Sequence, residues 1–222
     1  MRVHIRRRIS RQKYTILFKS FVADIPASKA AEIASVNRKT ADRYFDIFRT
    51  VVWENALEER SKTELKNGIE VDESYFGPRR VRGRRGRGAG RKIIVFGLLK
   101  REGHVYTQII KSAEKTAVMP IIRRVVASGS DIYSDGWKSY DALAVYGYNH
   151  KKVKHTENEF AREDGTHING VESYWSWTKR RLAQFNGISQ RQFGRHLLES
   201  EWRFNHRNHL SKDLKILLKK LR

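Results

Sequence analysis

The sequence predicts an α/β protein, a mixed sheet with flanking helices, preceded by a small all-helical domain. Two observations carry this. Apolar residues recur at helical spacing as far as about residue 53, and from Gly68 onward the period changes to alternation. The chain of 222 residues is 39% hydrophobic and 11% aromatic, enough for one full core and a small second domain.

The helical part begins after a basic arm, residues 1 to about 12, which holds Arg2, Arg6, Arg7, Arg8 and Arg11 and no acid. Such an arm can lie along phosphates or remain a solvated tail. Ile16, Leu17, Phe18, Phe21 and Val22 mark a first helix from Lys13, stopped at Asp24-Ile25-Pro26. Pro26 suits the start of a short second helix over 27–34. Ser35-Val36-Asn37 makes a turn, and a third helix runs from Arg38 to about Trp53. The outline is helix-turn-helix: Arg38, Lys39 and Arg43 are exposed near the amino end of the third helix, while Tyr44, Ile47, Phe48 and Val51 pack inward. Non-binding tri-helical bundles share this pattern. The charged stretch 54–67 reads as a linker or as the tail of the third helix, which sets domains of 1–67 (basic arm plus DNA-binding helices) and 68–222.

In the second domain Ile69-Glu70-Val71-Asp72-Glu73-Ser74-Tyr75-Phe76 alternates as a strand ended by Gly77-Pro78, with Asp72 and Ser74 on one face. Arg79 to Lys92 contains eight basic residues among fourteen, Arg82, Arg84, Arg85 and Arg87 included, spaced by glycines. It is either a solvated loop or a basic hairpin tip for a phosphate backbone. Strands over 93–99 and 104–110 complete an antiparallel meander. A helix over 116–127, a strand over 131–135, a short helix over 137–146 and a strand over 148–155 follow. A polar loop then leads to a helix over 167–182, with closing helices over 189–205 and 211–221. Three antiparallel strands followed by helix, strand, helix, strand, helix is the order of the ribonuclease H-like fold.

Charge narrows the partner. With 46 Lys plus Arg against 24 Asp plus Glu, the net charge of +22 calls for a polyanion, nucleic acid first. No apolar run approaches the length of a membrane span and no signal peptide is evident, so a cytoplasmic, nucleoid-associated protein without a membrane partner is expected. The absence of cysteine excludes a zinc ribbon, a disulfide framework and thiol catalysis.

A two-metal phosphoryl-transfer site needs about three oxygen ligands. In the predicted order Asp72 lies mid-way along the first strand, Asp135 ends the fourth, and Glu172 starts a late helix, positions that converge in this fold. Singly each has an ordinary explanation, such as a turn at Asp135-Gly136. The helix reading HINGVESYWSWTKRRL sorts at 100° per residue into an apolar arc of Val171, Tyr174, Trp175, Thr178 and Leu182, and a polar arc of Asn169, Glu172, Ser176 and Lys179. Asn169 would N-cap it, with Glu172 closing a capping box.

The blocks VDESYFG, YSDGWKSY and HINGVESYWSWTKRRL resemble the ISXO-like group of bacterial insertion-sequence transposases, a DDE class with a ribonuclease H-like catalytic domain. The resemblance covers about residues 68–210. It implies cleavage and joining of double-stranded DNA at element ends and target under Mg²⁺ (or Mn²⁺), by a homodimer or higher homo-oligomer assembled on DNA. Asp72 and Asp135 carry over as the first two acids. Either Asn169 or Glu172 completes the motif, and Glu172 is favoured because a carboxylate neutralises a divalent cation and an amide cannot. Lys179 would then contact substrate phosphate, with Arg180 beside it on the DNA side, or else be a solvent-facing helix lysine. Many relatives carry an amino-terminal zinc ribbon that this chain cannot build, which leaves recognition to the helix-turn-helix and the basic arms. Two rival functions use the same features: a structure-specific nuclease on this fold, and a non-enzymatic DNA-binding regulator.

Overall fold

The computed structural model describes residues 9–77, 92–101, 103–135, 143–153, 168–185 and 187–220. It divides into two compact units, residues 1–61 with 182–222, and residues 62–181.

The first unit is helical. It contains α1 (Arg11–Val22), α2 (Ala27–Ile33), α3 (Arg38–Lys62, whose last residue falls beyond the division), α6 (Gln190–Asn205) and α7 (Leu210–Lys220). Ser10 N-caps α1, its side chain accepting from the Lys13 N–H, and the Asn37 side chain accepts from the Lys39 N–H at the start of α3. Between α2 and α3 the chain turns through Ser35 at a positive φ of 49°. Phe21, Phe45 and Phe48 meet in edge-on and tilted contacts at the centre of this core.

Leu198 and Trp202 of α6, and Leu214 and Leu218 of α7, belong to the same core, and the Trp202 indole donates to Asn55 at 2.8 Å. This differs from the expected grouping of 68–222, which placed the closing helices with the sheet. The physical reason is size: three helices alone form a marginal core, and the apolar faces of α6 and α7 enlarge it. The charged stretch after Trp53 continues α3 as far as Lys62.

The second unit is built on a five-stranded sheet in the order β3-β2-β1-β4-β5. Its strands are β1 (Ile69–Phe76), β2 (Ile93–Lys100), β3 (Val105–Ile110), β4 (Asp131–Asp135) and β5 (Asn149–Val153). β1, β2 and β3 pair antiparallel, whereas β4 runs parallel to both β1 and β5. This is the ribonuclease H-like order. Val118, Met119, Ile121, Ile122 and Val125 of α4 (Lys115–Val125) form one core with Ile69, Val71, Phe96, Leu98 and Ile132. α5 (Asn169–Ala183) packs on the opposite face of the sheet, through Trp175 and the Val171 backbone.

The helix expected over 137–146 falls largely outside the described residues, whose share of it is a 3-10 turn at Ala144–Tyr146. Arg82, Arg84, Arg85 and Arg87 also lie outside them. No helix among the described residues is long and apolar enough to cross a membrane.

Candidate active site

Alternation decides where the acids of β1 go. Ile69 and Val71 are buried against α4, so Glu70, Asp72, Ser74 and Phe76 face the side of α5. In β4 the buried Ile132 fixes the same phase and turns Asp131, Tyr133 and Asp135 toward that side. The parallel register pairs Ile69 with Ile132 and Glu70 with Tyr133, and its continuation sets Asp135 beside Asp72.

α5 supplies the third acid. Val171, Tyr174, Trp175, Thr178 and Leu182 are buried, and Asn169, Glu172, Ser176 and Lys179 are exposed, the two arcs expected from the sequence. The helix lies close because Gly97, opposite Asp72 on β2, has no side chain; a Cβ there would collide with the Trp175 ring. Trp175 also meets Phe76 edge-on with ring centroids 5.9 Å apart, and the Lys179 ammonium lies 5.8 Å from the Phe76 ring centre. Arg180 donates to Ser176 one turn back at 2.7 Å.

The helix start differs from expectation by one residue. The Glu172 N–H donates to the Ile168 carbonyl at 3.2 Å, so Ile168 holds the N-cap position and Asn169 is the first helical residue. Isoleucine has no side-chain acceptor, and the carboxylate of Glu70 takes the Val171 N–H instead, at 2.9 Å.

Electrostatics tie the three acids together. The Asp72 carboxyl is pushed up from 3.8 to about 7, first by burial and then by the nearby charges of Asp135 and Glu172. The Glu73 backbone N–H and the Trp175 indole N–H pull it back in part. That indole nitrogen is buried and has no partner at full hydrogen-bonding geometry, yet it is near enough to favour the ionised Asp72. Carboxylates that repel one another on a half-buried face are the hard oxygen donors that divalent cations such as Mg²⁺ take. They lie within electrostatic reach without closing into a cage: no group of three His, Cys, Asp or Glu side chains among the described residues is gathered at metal-holding distance.

Two features near the acids were not read from the sequence. Glu70 is 1% exposed and bonded to Arg101, and Ser134, buried beside Asp135, contacts His150 Nε2 at 2.8 Å and donates to the Asp135 carbonyl at 2.7 Å. Glu70 shares the alternation phase of Asp72, which is the signal that could have drawn attention to it.

Arg38, Lys39 and Arg43 are exposed on the first turns of α3, with Arg38 paired to Asp42 at 2.9 Å.

A mixed five-stranded sheet carrying acids on adjacent strands and on the helix across them defines a ribonuclease H-like protein. Residues 64–205 match the ISXO2-like transposase domain, and the chain belongs to that family of insertion-sequence transposases. A transposase-like protein of Haemophilus influenzae is 40% identical over 101 residues, covering 46% of this chain and 80% of its own. Among solved structures, the Mos1 strand transfer complex aligns over 100% of this chain and 81% of its own, at 12% identity and a TM-score of 0.32. A chain of the simian T-cell lymphotropic virus intasome aligns over 64% of this chain, at 10% identity and a TM-score of 0.40; this chain spans about half of its length, 49%. At such scores neither likeness adds to the topology already described.

Proposed function

We propose that this transposase binds the terminal repeats of its insertion sequence and catalyses divalent-metal-dependent strand cleavage and strand transfer on double-stranded DNA. The observation that carries the reading is the gathering of Asp72, Asp135 and Glu172 on one face, where burial first and then the charges of the other two acids raise the Asp72 carboxyl to about 7. Asp72, Asp135 and Glu172 would hold the cation, Mg²⁺ or Mn²⁺. When bound, the metal supplies charge neutralisation at the scissile phosphate and an acidified attacking hydroxyl.

The rest is the work of this chain's own groups. Asp72 releases its proton near neutrality, which readies the face for a cation. Trp175 holds α5 against the strand through its fit over Gly97, and thereby keeps Glu172 opposite Asp72. Lys179, exposed on the same arc as Glu172, meets a substrate phosphate, with Arg180 as a second positive charge alongside. Glu172, rather than Asn169, serves as the third acid, since a carboxylate neutralises a divalent cation and an amide cannot.

End recognition falls to α2, the turn at Ser35 and α3, read as a helix-turn-helix with Arg38, Lys39 and Arg43 toward DNA. The basic segment containing Arg82, Arg84, Arg85 and Arg87 contributes sequence-independent phosphate contacts. The setting is the bacterial cytoplasm, on the nucleoid, with a homodimer or larger homo-oligomer assembled on DNA.

Purified protein incubated with element-end DNA and Mg²⁺ is expected to cut at the element boundary. Glu172→Gln should abolish cutting at unchanged DNA affinity, and Asn169→Ala should retain most of it. A larger loss in Asn169→Ala than in Glu172→Gln would transfer the role to the amide.

A further inference from the structure

Glu70 stands two residues before Asp72 on the same face of β1 and is 1% exposed. A carboxylate so far from water is costly unless its charge is answered and its oxygens are bonded. Both conditions are met, from two directions. Arg101, at the turn after β2, reaches one oxygen at 3.1 Å. The Arg101 guanidinium lies 3.7 Å from the centre of the Tyr133 ring, a cation–π contact that restricts its plane. The other oxygen accepts the Val171 N–H of α5 at 2.9 Å.

That second bond joins the sheet to the catalytic helix at a particular place. Val171 is the third residue of α5, and its N–H is one of the first-turn donors that lack an intrahelical acceptor. A serine or aspartate at the N-cap would normally accept it, but Ile168 occupies that position. Glu70 therefore caps α5 from another element, and its negative charge also suits the positive end of the helix.

The approach is close enough to depend on glycine at residue 170, where a Cβ would stand 2.8 Å from the Glu70 carboxylate and 2.9 Å from Leu99. Glu172 is the residue immediately after the capped one. A single side chain thus links the strand that bears Asp72 to the helix turn that bears Glu172.

We propose that Glu70 is a positioning residue of the active site: by capping α5 from β1, it sets Glu172 at its working distance from Asp72. The inference rests on the assignment of these acids as the metal-holding set. Its energetic logic is that of partners behind metal ligands, whose loss costs about 10–100-fold in metal affinity or activity.

A purely architectural Glu70 would change stability and nothing else, so the test uses the full chain well below the melting temperature of each variant. Glu70→Ala removes charge and acceptor; Glu70→Gln keeps an acceptor and removes the charge; Gly170→Ala leaves Glu70 intact and pushes it off the helix. Three readouts are compared: amide hydrogen exchange at Val171 and Glu172, the dissociation constant for Mn²⁺ added alone, and the single-turnover cleavage rate beside the Kd for end DNA.

Glu70→Ala and Gly170→Ala are expected to speed exchange at those two amides. They should also weaken Mn²⁺ binding about tenfold and slow cleavage about 10–100-fold at unchanged DNA affinity. Glu70→Gln should fall between them and wild type, and it carries the test should Glu70→Ala not fold. Wild-type Mn²⁺ affinity and cleavage in Glu70→Gln and Gly170→Ala would overturn the proposal. Glu172→Gln separates the two levels. If it loses Mn²⁺ binding while the Glu70 and Gly170 variants keep theirs, only the positioning role falls; if it binds and cleaves like wild type, the assignment of the acids falls and this role with it.

Discussion

Glu199 of the helical unit and Asp72 of the sheet unit are both acids withdrawn from water, in opposite company. Glu199, 3% exposed, is held between Arg203 at 2.9 Å and Arg49 at 3.0 Å, and Arg203 goes on to donate to the Phe21 carbonyl at 2.7 Å. Two residues on, Glu201 faces Arg60 at 3.6 Å. Asp72 instead has its acidity set by burial and by two further carboxylates, against a backbone N–H and an indole. Where charge serves architecture, the fold supplies the countercharge. Where like charges are held together, the proposed function has a divalent cation on a phosphate-bearing substrate answer them.

The largest effect expected from breaking this contrast lies in the helical unit. Glu199→Ala takes the carboxylate from between two arginines, leaving Arg203 its longer Asp24 contact at 3.6 Å, and should cost about 3–5 kcal/mol of unfolding free energy in denaturant titrations. A loss under about 1 kcal/mol would show the network to be ordinary surface chemistry.

At Asp72 the sign reverses. Its folded-state pKa of about 7 lies above the ordinary 3.8, so folding opposes ionisation: stability is full below 3.8, declines as the pH rises toward 7, and stays low above it. Asp72→Asn removes that decline. Without metal, the variant should be more stable than wild type at pH 8, by up to about 4 kcal/mol, and equal to it near pH 4. Mg²⁺ should stabilise wild type alone, with its apparent affinity falling as pH drops below 7. A metal-free Asp72→Asn protein less stable than wild type at pH 8 would contradict the assignment.

The smallest effect is at the exposed pair of Arg38 and Asp42. Asp42→Asn should change stability by less than about 1 kcal/mol, while freeing Arg38 for phosphate and steepening the salt dependence of DNA binding. An unchanged salt slope would place Arg38 away from DNA.

The same contrast marks how far the sequence could be read. Alternation in Ile69–Phe76 and the 100° arcs of α5 place Asp72 and Glu172 on facing surfaces, because period alone decides which side a residue takes. Period does not say which apolar face meets which, so α6 and α7 read as companions of the sheet although Leu198, Trp202, Leu214 and Leu218 join the core of α1 to α3. Nor does it separate Glu70 from Asp72, two acids in phase on one strand. Arg101, thirty-one positions along the chain from Glu70, answers the charge of one of them. Arg49 lies still farther from its partner Glu199, 150 positions away, and the local i,i+4 spacing of Glu199 with Arg203 does not by itself distinguish a buried pair from a surface one.

The most direct measurement is the rate of Mg²⁺-dependent cleavage of element-end DNA by Asp135→Asn, at a protein concentration that saturates the DNA for variant and wild type alike. The substitution keeps the side-chain shape on β4 and removes one of the two charges acting on Asp72. A drop of at least about 100-fold with unchanged DNA affinity is the predicted result. Cleavage within about threefold of wild type would contradict the claim that these acids form the catalytic centre.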